Sequence, residues 1–440
     1  MGKCAIYYYT LTDEMRKEEK LQWLNENRIK DIPFIHIQPD KNHNWIDLTD
    51  NDWDEMIPLA NKETKLSKNK NDETAVFKLF SLGVVTARDE WVYDYDKKIL
   101  EDKVKYLIDV YNIDVDKLKN MEKSKIKDNV DYQIKWSRAV KNDLFNNKSY
   151  SFNNENIIYS IYRPFIKKYL YFNKQLNEMQ YQLNKLFIKK ENYNNLSIVT
   201  TFHDQTGTAI QSTDLLFDYG YGQRDSTCYS LYRFTENEKI IENITDWGLK
   251  QFRNQYQDKK ISKEEIFNYV YAVLHNPEYR KKYEMNLKRE LPRIPFYKDF
   301  RKWVEWGKKL MDLHINFETV KPYKLKRIDD VQFDKSKNPN ARIPKAKLHA
   351  DKDSGIITLD EQTILTGIPA SAWEYKLGNR SALEWILDQY KEKKPKDPTI
   401  REKFNTYRFA DYKEKVIALI LCVTTVSVET MKIIEEMGKT

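Results

Sequence analysis

The chain has 440 residues, of which 40% are hydrophobic, 32% charged and 13% aromatic, a length suited to two to four domains and a composition that excludes a disordered polymer. Its formal charge of +8, from 75 basic and 67 acidic side chains, is too mild to prove nucleic-acid binding, yet fits a basic groove on a neutral body. Thirty Tyr and ten Trp supply flat faces suited to extended binding surfaces, although AT-rich coding bias enriches Tyr, Lys, Asn and Ile as well.

Residues 4–11 predict a buried strand, and 13–27 a charged amphipathic helix anchored by Leu21, Trp23 and Leu24. A short strand follows at 34–37. A lone strand and helix are odd as a complete domain, and read as the last unit of a larger α/β domain. Residues 38–73 are turn-rich and predict a loop or linker. From Val76 a second region begins. Residues 80–95 predict two short strands around the polar tip Thr86-Ala87-Arg88-Asp89, 98–121 and 131–146 predict helices, and 157–172 is strand-like. Short strands are expected over 194–235. A helix pair is expected over 261–291, broken at Asn276-Pro277 and stopped by Pro292 and Pro295. Another helix is expected at 300–316, strands and turns over 321–363, and helices at 381–391 and 412–437. The apolar run 417–428 is too short to span a bilayer and reads as a buried helix.

Several chemistries lack their motif. There is no phosphate-binding loop and no Gly-x-Gly-x-x-Gly after a strand. The six histidines never recur at metal-ligand spacing. Cys4, Cys228 and Cys422 imply no disulfide framework, which fits a reducing cytoplasm, and no signal peptide opens the chain. Asn276-Pro277-Glu278-Tyr279 approaches the Asn-Pro-Pro-Tyr tetrapeptide of adenine-N6 methyltransferases, but Glu replaces the second proline, and the segment reads as a helix junction. Asp360 with Glu374-Tyr375-Lys376 fits the loose Asp…Glu-x-Lys pattern of Mg²⁺ nucleases, a triplet that also arises by chance in a Lys- and Glu-rich chain.

Four clusters have the chemistry of DNA contact: residues 86–89; Lys135 and Arg138 beside Lys141; Arg163, Lys167 and Lys168 among Phe and Tyr; and residues 200–224, with His203, Gln205, Thr206, Gln211 and Arg224. Arg pairs bidentately with guanine and Gln with adenine, whereas Lys neutralises phosphate. Lys135, Arg138, Lys167 and Lys168 are therefore expected on phosphates, and Arg88, Arg163, Gln205 and Arg224 on bases. Arg88–Asp89 would also serve as a turn ion pair, and Arg163 as a strand brace.

An ordered set of segments resembles the C-terminal portion of type ISP restriction-modification enzymes. It includes Gly83-Val84-Val85-Thr86-Ala87-Arg88-Asp89-Glu90-Trp91, Lys135-Trp136-Ser137-Arg138, Tyr162-Arg163-Pro164-Phe165, Tyr269 to Arg280, Pro292-Arg293-Ile294-Pro295, Gly378-Asn379-Arg380-Ser381 and Thr424 to Met431. The resemblance implies a mixed α/β (α+β) chain: the C-terminal end of a methyltransferase-like domain over 1–75, a target recognition domain over 76–350, and its mainly helical C-terminal part over 351–440. It implies sequence-specific recognition of double-stranded DNA in the cytoplasm, for phage defence. Nuclease, helicase-like motor and adenine-N6 methyltransferase would lie upstream as partner domains or subunits, where S-adenosylmethionine, ATP and Mg²⁺ would act. No catalytic residue, metal site or cofactor is expected in this chain itself, nor any membrane association. The alternatives are a Mg²⁺-dependent nuclease using Asp360, Glu374 and Lys376, and a protein-interaction subunit of the same complex.

Overall fold

A computed structural model describes residues 4–12, 14–39, 45, 51–187, 195–203, 207–333 and 342–439. The architecture is mixed α/β, with several small antiparallel sheets among helices. Two hydrophobic cores meet across one sheet, ordered Ser81–Leu82, Thr227–Ser230, Ser197–His203, Gly207–Thr213. Side chains alternate between the faces of a strand, so Val199, Ala209 and Cys228 enter one core while Ile198, Ile210 and Tyr229 enter the other. Burial on both faces accounts for the absence of a solvent-facing polar row. The Ser and Thr hydroxyls instead pair inside, Ser197 with Ser230 at 2.6 Å and Thr201 with Ser226 at 2.8 Å.

In the first core, the helix Lys97–Leu118 starts where the Asp96 carboxylate accepts from the backbone N–H groups of Lys98 and Ile99. Its buried stripe, Leu100, Val104, Leu107, Tyr111, Val115 and Leu118, keeps the three-and-four spacing of one helix face. The stripe lies against a three-stranded sheet ordered Tyr93–Asp94, Ile166–Tyr171, Ile157–Arg163. The strand-like stretch 157–172 is thus a hairpin that turns at Pro164-Phe165, with Phe165 in the left-handed region at φ 61°.

The second core is built on the helices Lys263–His275 and Phe300–Ile315. They approach so closely that a Cβ on Gly307 would lie 1.8 Å from the Asn268 carbonyl oxygen. Backbone cannot yield as a flexible side chain can. Gly307→Ala is therefore expected to destabilise the fold by about 1–3 kcal/mol, read as a lower urea midpoint at unchanged slope. A wild-type midpoint would show that the helices separate freely.

Several expectations change. Residues 51–73 are not a linker: Trp53, Met56 and Leu59 are buried in the second core, and Leu59 N–H bonds the Pro292 carbonyl at 2.9 Å. Packing therefore runs on through the expected division at 75–76. It also crosses 350–351, where Ala346–Asp351 pairs with Ile356–Asp360 in one four-stranded sheet. The strand predicted over 4–11 is three residues, Ile6–Tyr8, paired antiparallel with Ile35–Ile37, and it is not buried: Tyr7 and Ile35 are exposed. The helix Lys17–Glu26 buries no residue, leaving Leu21 and Leu24 in the open. Of 131–146 only Arg138–Phe145 is helical. The terminal helix, Phe409–Met437, is longer than the apolar run within it, and by length and composition alone it is able to cross a membrane. Here Val416, Ile420, Val423, Thr424, Val426 and Ser427 are buried against protein.

Candidate nucleic-acid interface

The turn at 86–89 organises the polar segments. Ala87 takes the left-handed conformation at φ 57°, and the Thr86 hydroxyl closes the turn on the Asp89 carboxylate. Arg88 is then directed inward and is only 4% exposed. Its guanidinium donates to the Leu176 carbonyl at 3.2 Å and to the Ser137 hydroxyl. Burial pulls its pKa down to about 10, so it stays charged at neutral pH. Ser137 is the N-cap of Arg138–Phe145, so Arg88 fixes the segment that presents Lys135 and Arg138. Both of these are exposed. The structure therefore corrects the expectation that Arg88 reads a base: it is a buried strut under the exposed cations.

Arg163 is also committed to the protein. Its guanidinium stacks over the Tyr162 ring at 3.8 Å and donates to Asp218 Oδ1 at 2.7 Å and to the Tyr162 carbonyl at 2.6 Å. Asp218 accepts as well from the Tyr93 hydroxyl at 3.1 Å and the Gly220 N–H at 2.8 Å. Burial pushes the Asp218 carboxyl up to about 6 against the pull of Arg163, so it is ionised at pH 7. Asp89 completes the hub, accepting from the Tyr162 hydroxyl at 2.8 Å and lying 3.9 Å from Arg163. Brace rather than base reader is the role this geometry gives Arg163. The hub gathers the 86–89 turn, the 135–138 segment, the 157–171 hairpin and the 218–225 loop into one neighbourhood.

The adjacent lysines part company because strand neighbours face opposite ways. Lys167 pairs with Glu318 at 2.6 Å beside Phe317, an internal ion pair rather than the free cation that a phosphate contact requires. Lys168 points to the other face, its ammonium 4.4 Å from the ring centroids of both Tyr95 and Tyr162. Arg224 is exposed in the 218–225 loop, 3.9 Å from Asp225. Gln211 is buried on its strand, accepting from the Tyr221 hydroxyl, and so is removed from DNA contact. His203 ends the strand Ser197–His203, and its side chain lies outside the described atoms; Gln205 and Thr206 lie outside the described residues. Sequence reasoning missed Asp218, the centre of the hub, and the loop after Ala382–Tyr390. The signal for that loop was present, in the basic run Lys391-Glu392-Lys393-Lys394-Pro395-Lys396.

Both near-motifs resolve into structure. Asn276 caps the helix Pro277–Lys282, its side chain accepting from Glu278 N–H at 3.0 Å, and Tyr279 is buried with its hydroxyl on the Arg293 carbonyl. Neither is open to a flipped base. Asp360 spends one oxygen on the Gln362 and Thr363 N–H groups and the other on Lys413 at 2.8 Å. Glu374 is exposed, and no group of three His, Cys, Asp or Glu converges on a metal position among the described residues. Asp360, Glu374 and Lys376 are therefore not an assembled nuclease centre.

The class this site defines is a binding face: loops present cations and aromatic rings, while buried Arg88 holds the 135–138 segment and buried Asp218 holds Arg163 beneath them. Residues 75–419 match the family described as the Type ISP C-terminal specificity domain, and the chain belongs to that family. It is similar to three solved structures. In the cryo-EM structure of the DrdV–DNA complex, identity is 47% and the TM-score 0.83, over 98% of this chain and 43% of the other. In a nuclease-deletion mutant of the Type ISP restriction-modification enzyme LlaGI, complexed with a DNA substrate mimic, the values are 30% and 0.75, over 98% and 39%. In the ATP-dependent Type ISP enzyme LlaBIII bound to DNA they are 27% and 0.73, over 92% and 25%. The chain thus spans less than half the length of each. No curated protein matches it.

Proposed function

We propose that this chain is the DNA-reading part of a restriction-modification enzyme, docking on duplex DNA and setting which sequence the rest of the enzyme acts upon. The reading is carried by its 47% identity over 98% of its length to a protein solved on DNA. It draws further support from the hub, which holds Lys135, Arg138 and Arg224 as exposed cations on rigidly braced loops. Lys135 and Arg138 would sit on phosphates and fix the register, while Arg224, exposed in its loop, would read a base edge. A neighbouring methyltransferase domain would take the target adenine out of the helix and would bind S-adenosylmethionine, and a motor and nuclease would use ATP and Mg²⁺. The exposed Tyr7, Leu21, Leu24 and Ile35 of the N-terminal unit suit an edge that packs against such a domain, and a DNA partner suits a cytoplasmic setting.

The test is duplex affinity of the 440-residue chain against salt. Log affinity is expected to fall linearly with log salt, and Lys135→Ala or Arg138→Ala to reduce the slope by about one each, equally on all sequences. Arg224→Ala is expected to cost about 1–3 kcal/mol on the cognate site alone. A chain with no affinity for any duplex at low salt ends this reading.

A further inference from the structure

Beside the hub lies a cleft of about 320 Å³. It is lined by Lys168 with Tyr95 and Tyr162, by Asp89 and Glu90 of the turn, and by Lys391, Lys393 and Lys394 of the basic loop. The acids around it already have partners. Asp89 is held by Thr86 and Tyr162, and Glu90 accepts from the backbone N–H groups of Lys396 and Asp397 at 2.9 and 2.8 Å. Asp94 pairs with Lys103 at 2.8 Å, and Asp388 takes Lys393 at 3.0 Å. Arg163 belongs to Asp218. Among the described residues, Lys168, Lys391 and Lys394 remain with no carboxylate partner. A half-buried ammonium held only by two tyrosine faces, lining a cleft whose acids are spent, is poised for an anion from outside.

We propose that this cleft seats one phosphodiester of the DNA backbone on the Lys168 ammonium, with Lys391 and Lys394 at its mouth. The inference rests on the DNA reading above and adds to it a particular phosphate seat. Its chemistry is that of any phosphate oxyanion, so a free phosphate ion is the competing source. The seat also couples binding to protons. Burial first, then Arg163 and Lys103, pull Lys168 down to about 7, while Asp94 and Asp89 oppose them. A phosphate in contact restores the charged form, so binding takes up a proton wherever free Lys168 is partly neutral. Affinity is then present in full below about pH 7 and lost as pH rises, by about fivefold between pH 7 and pH 8.

The experiment measures duplex affinity of the full chain against salt and pH, with calorimetry in buffers of different ionisation enthalpy to count protons. The wild type is expected to take up protons on binding and to weaken about fivefold over that pH unit. Lys168→Met should flatten the pH dependence and lower the salt slope by about one. Lys168→Arg should keep the slope and lose the pH dependence, and Lys394→Ala should lower the slope and keep it. Thermal unfolding checks the Met variant; should it fail to fold, the Arg and Lys394 variants carry the test. Normal duplex binding with Lys168→Met indistinguishable from wild type overturns the phosphate seat and leaves the DNA reading standing. Loss of all duplex binding in the wild type overturns the DNA reading instead. Proton uptake on titrating inorganic phosphate alone, with none on DNA, assigns the cleft to free anions and also overturns the seat.

Discussion

Arg163→Ala is expected to cost about 3–5 kcal/mol of folding stability, because it strands the Asp218 carboxylate in the interior. That side chain is 6% exposed, and once the guanidinium that holds its pKa down is gone the carboxyl is buried either as an unpaired charge or as a protonated acid, with one hydroxyl and one backbone N–H as its ordinary partners. The same substitution also removes the stacking on Tyr162 and loosens the 86–89 turn. Urea denaturation reads the loss directly. Removing both charges, as in Arg163→Met with Asp218→Leu, should recover much of it, since the penalty belongs to the unpaired charge rather than to the missing bond. A base-reading Arg163 behaves oppositely: Arg163→Ala would then keep the wild-type midpoint and lose about 1–3 kcal/mol on the cognate duplex alone. That outcome would return Arg163 to the DNA face and dissolve the hub as described.

The second large effect is acid lability centred on His275 and His314. His314 sits where four segments meet: Nδ1 faces the Tyr271 hydroxyl, and Nε2 lies 2.9 Å from the Thr430 hydroxyl and 3.2 Å from that of Tyr375. His275 Nδ1 lies 2.8 Å from the Tyr271 carbonyl. Burial, with the nearby Arg280 charge, holds His275 down to about 3, and burial, with the neighbouring His275 ring, holds His314 well below the ordinary imidazole range. In the unfolded chain both rings bind a proton near pH 6.5. The unfolded state therefore gains protons first: stability is complete above about pH 6.5 and is lost as pH falls toward 3. At about pH 5 the loss is about 2 kcal/mol per histidine. Urea titrations at neutral and mildly acid pH should show it, and His275→Gln with His314→Gln should show a shallower decline than the wild type. Equal declines for the two chains would mean that the rings are solvated.

The long elements were legible because their signals are local. Asp96 before a three-and-four apolar stripe marks the helix 97–118, and the Ser262/Glu265 capping box marks the start of 263–275, each readable without knowing what the helix packs against. Asn276-Pro277 likewise announced a helix junction, because a side-chain cap followed by proline at the first helical position needs no tertiary partner. The family resemblance was equally local, resting on ordered short strings.

The sequence by itself determined the kind of chain this is: mixed α/β, with cations grouped near aromatic residues and with the spacing of a specificity domain. Only the tertiary structure decided which of those cations face solvent. Arg88 and Lys135 look alike in sequence, but a left-handed turn at Ala87 folds the first onto Leu176 and Ser137 and leaves the second outside. Lys167 and Lys168 are neighbours separated by the alternation of one strand, and Glu318, 151 residues away, claims only the first. Asp218, 55 residues from Arg163, settles the role of that arginine. A charge is free or spent according to partners brought from distant segments, and such pairing leaves no periodicity in the sequence to read.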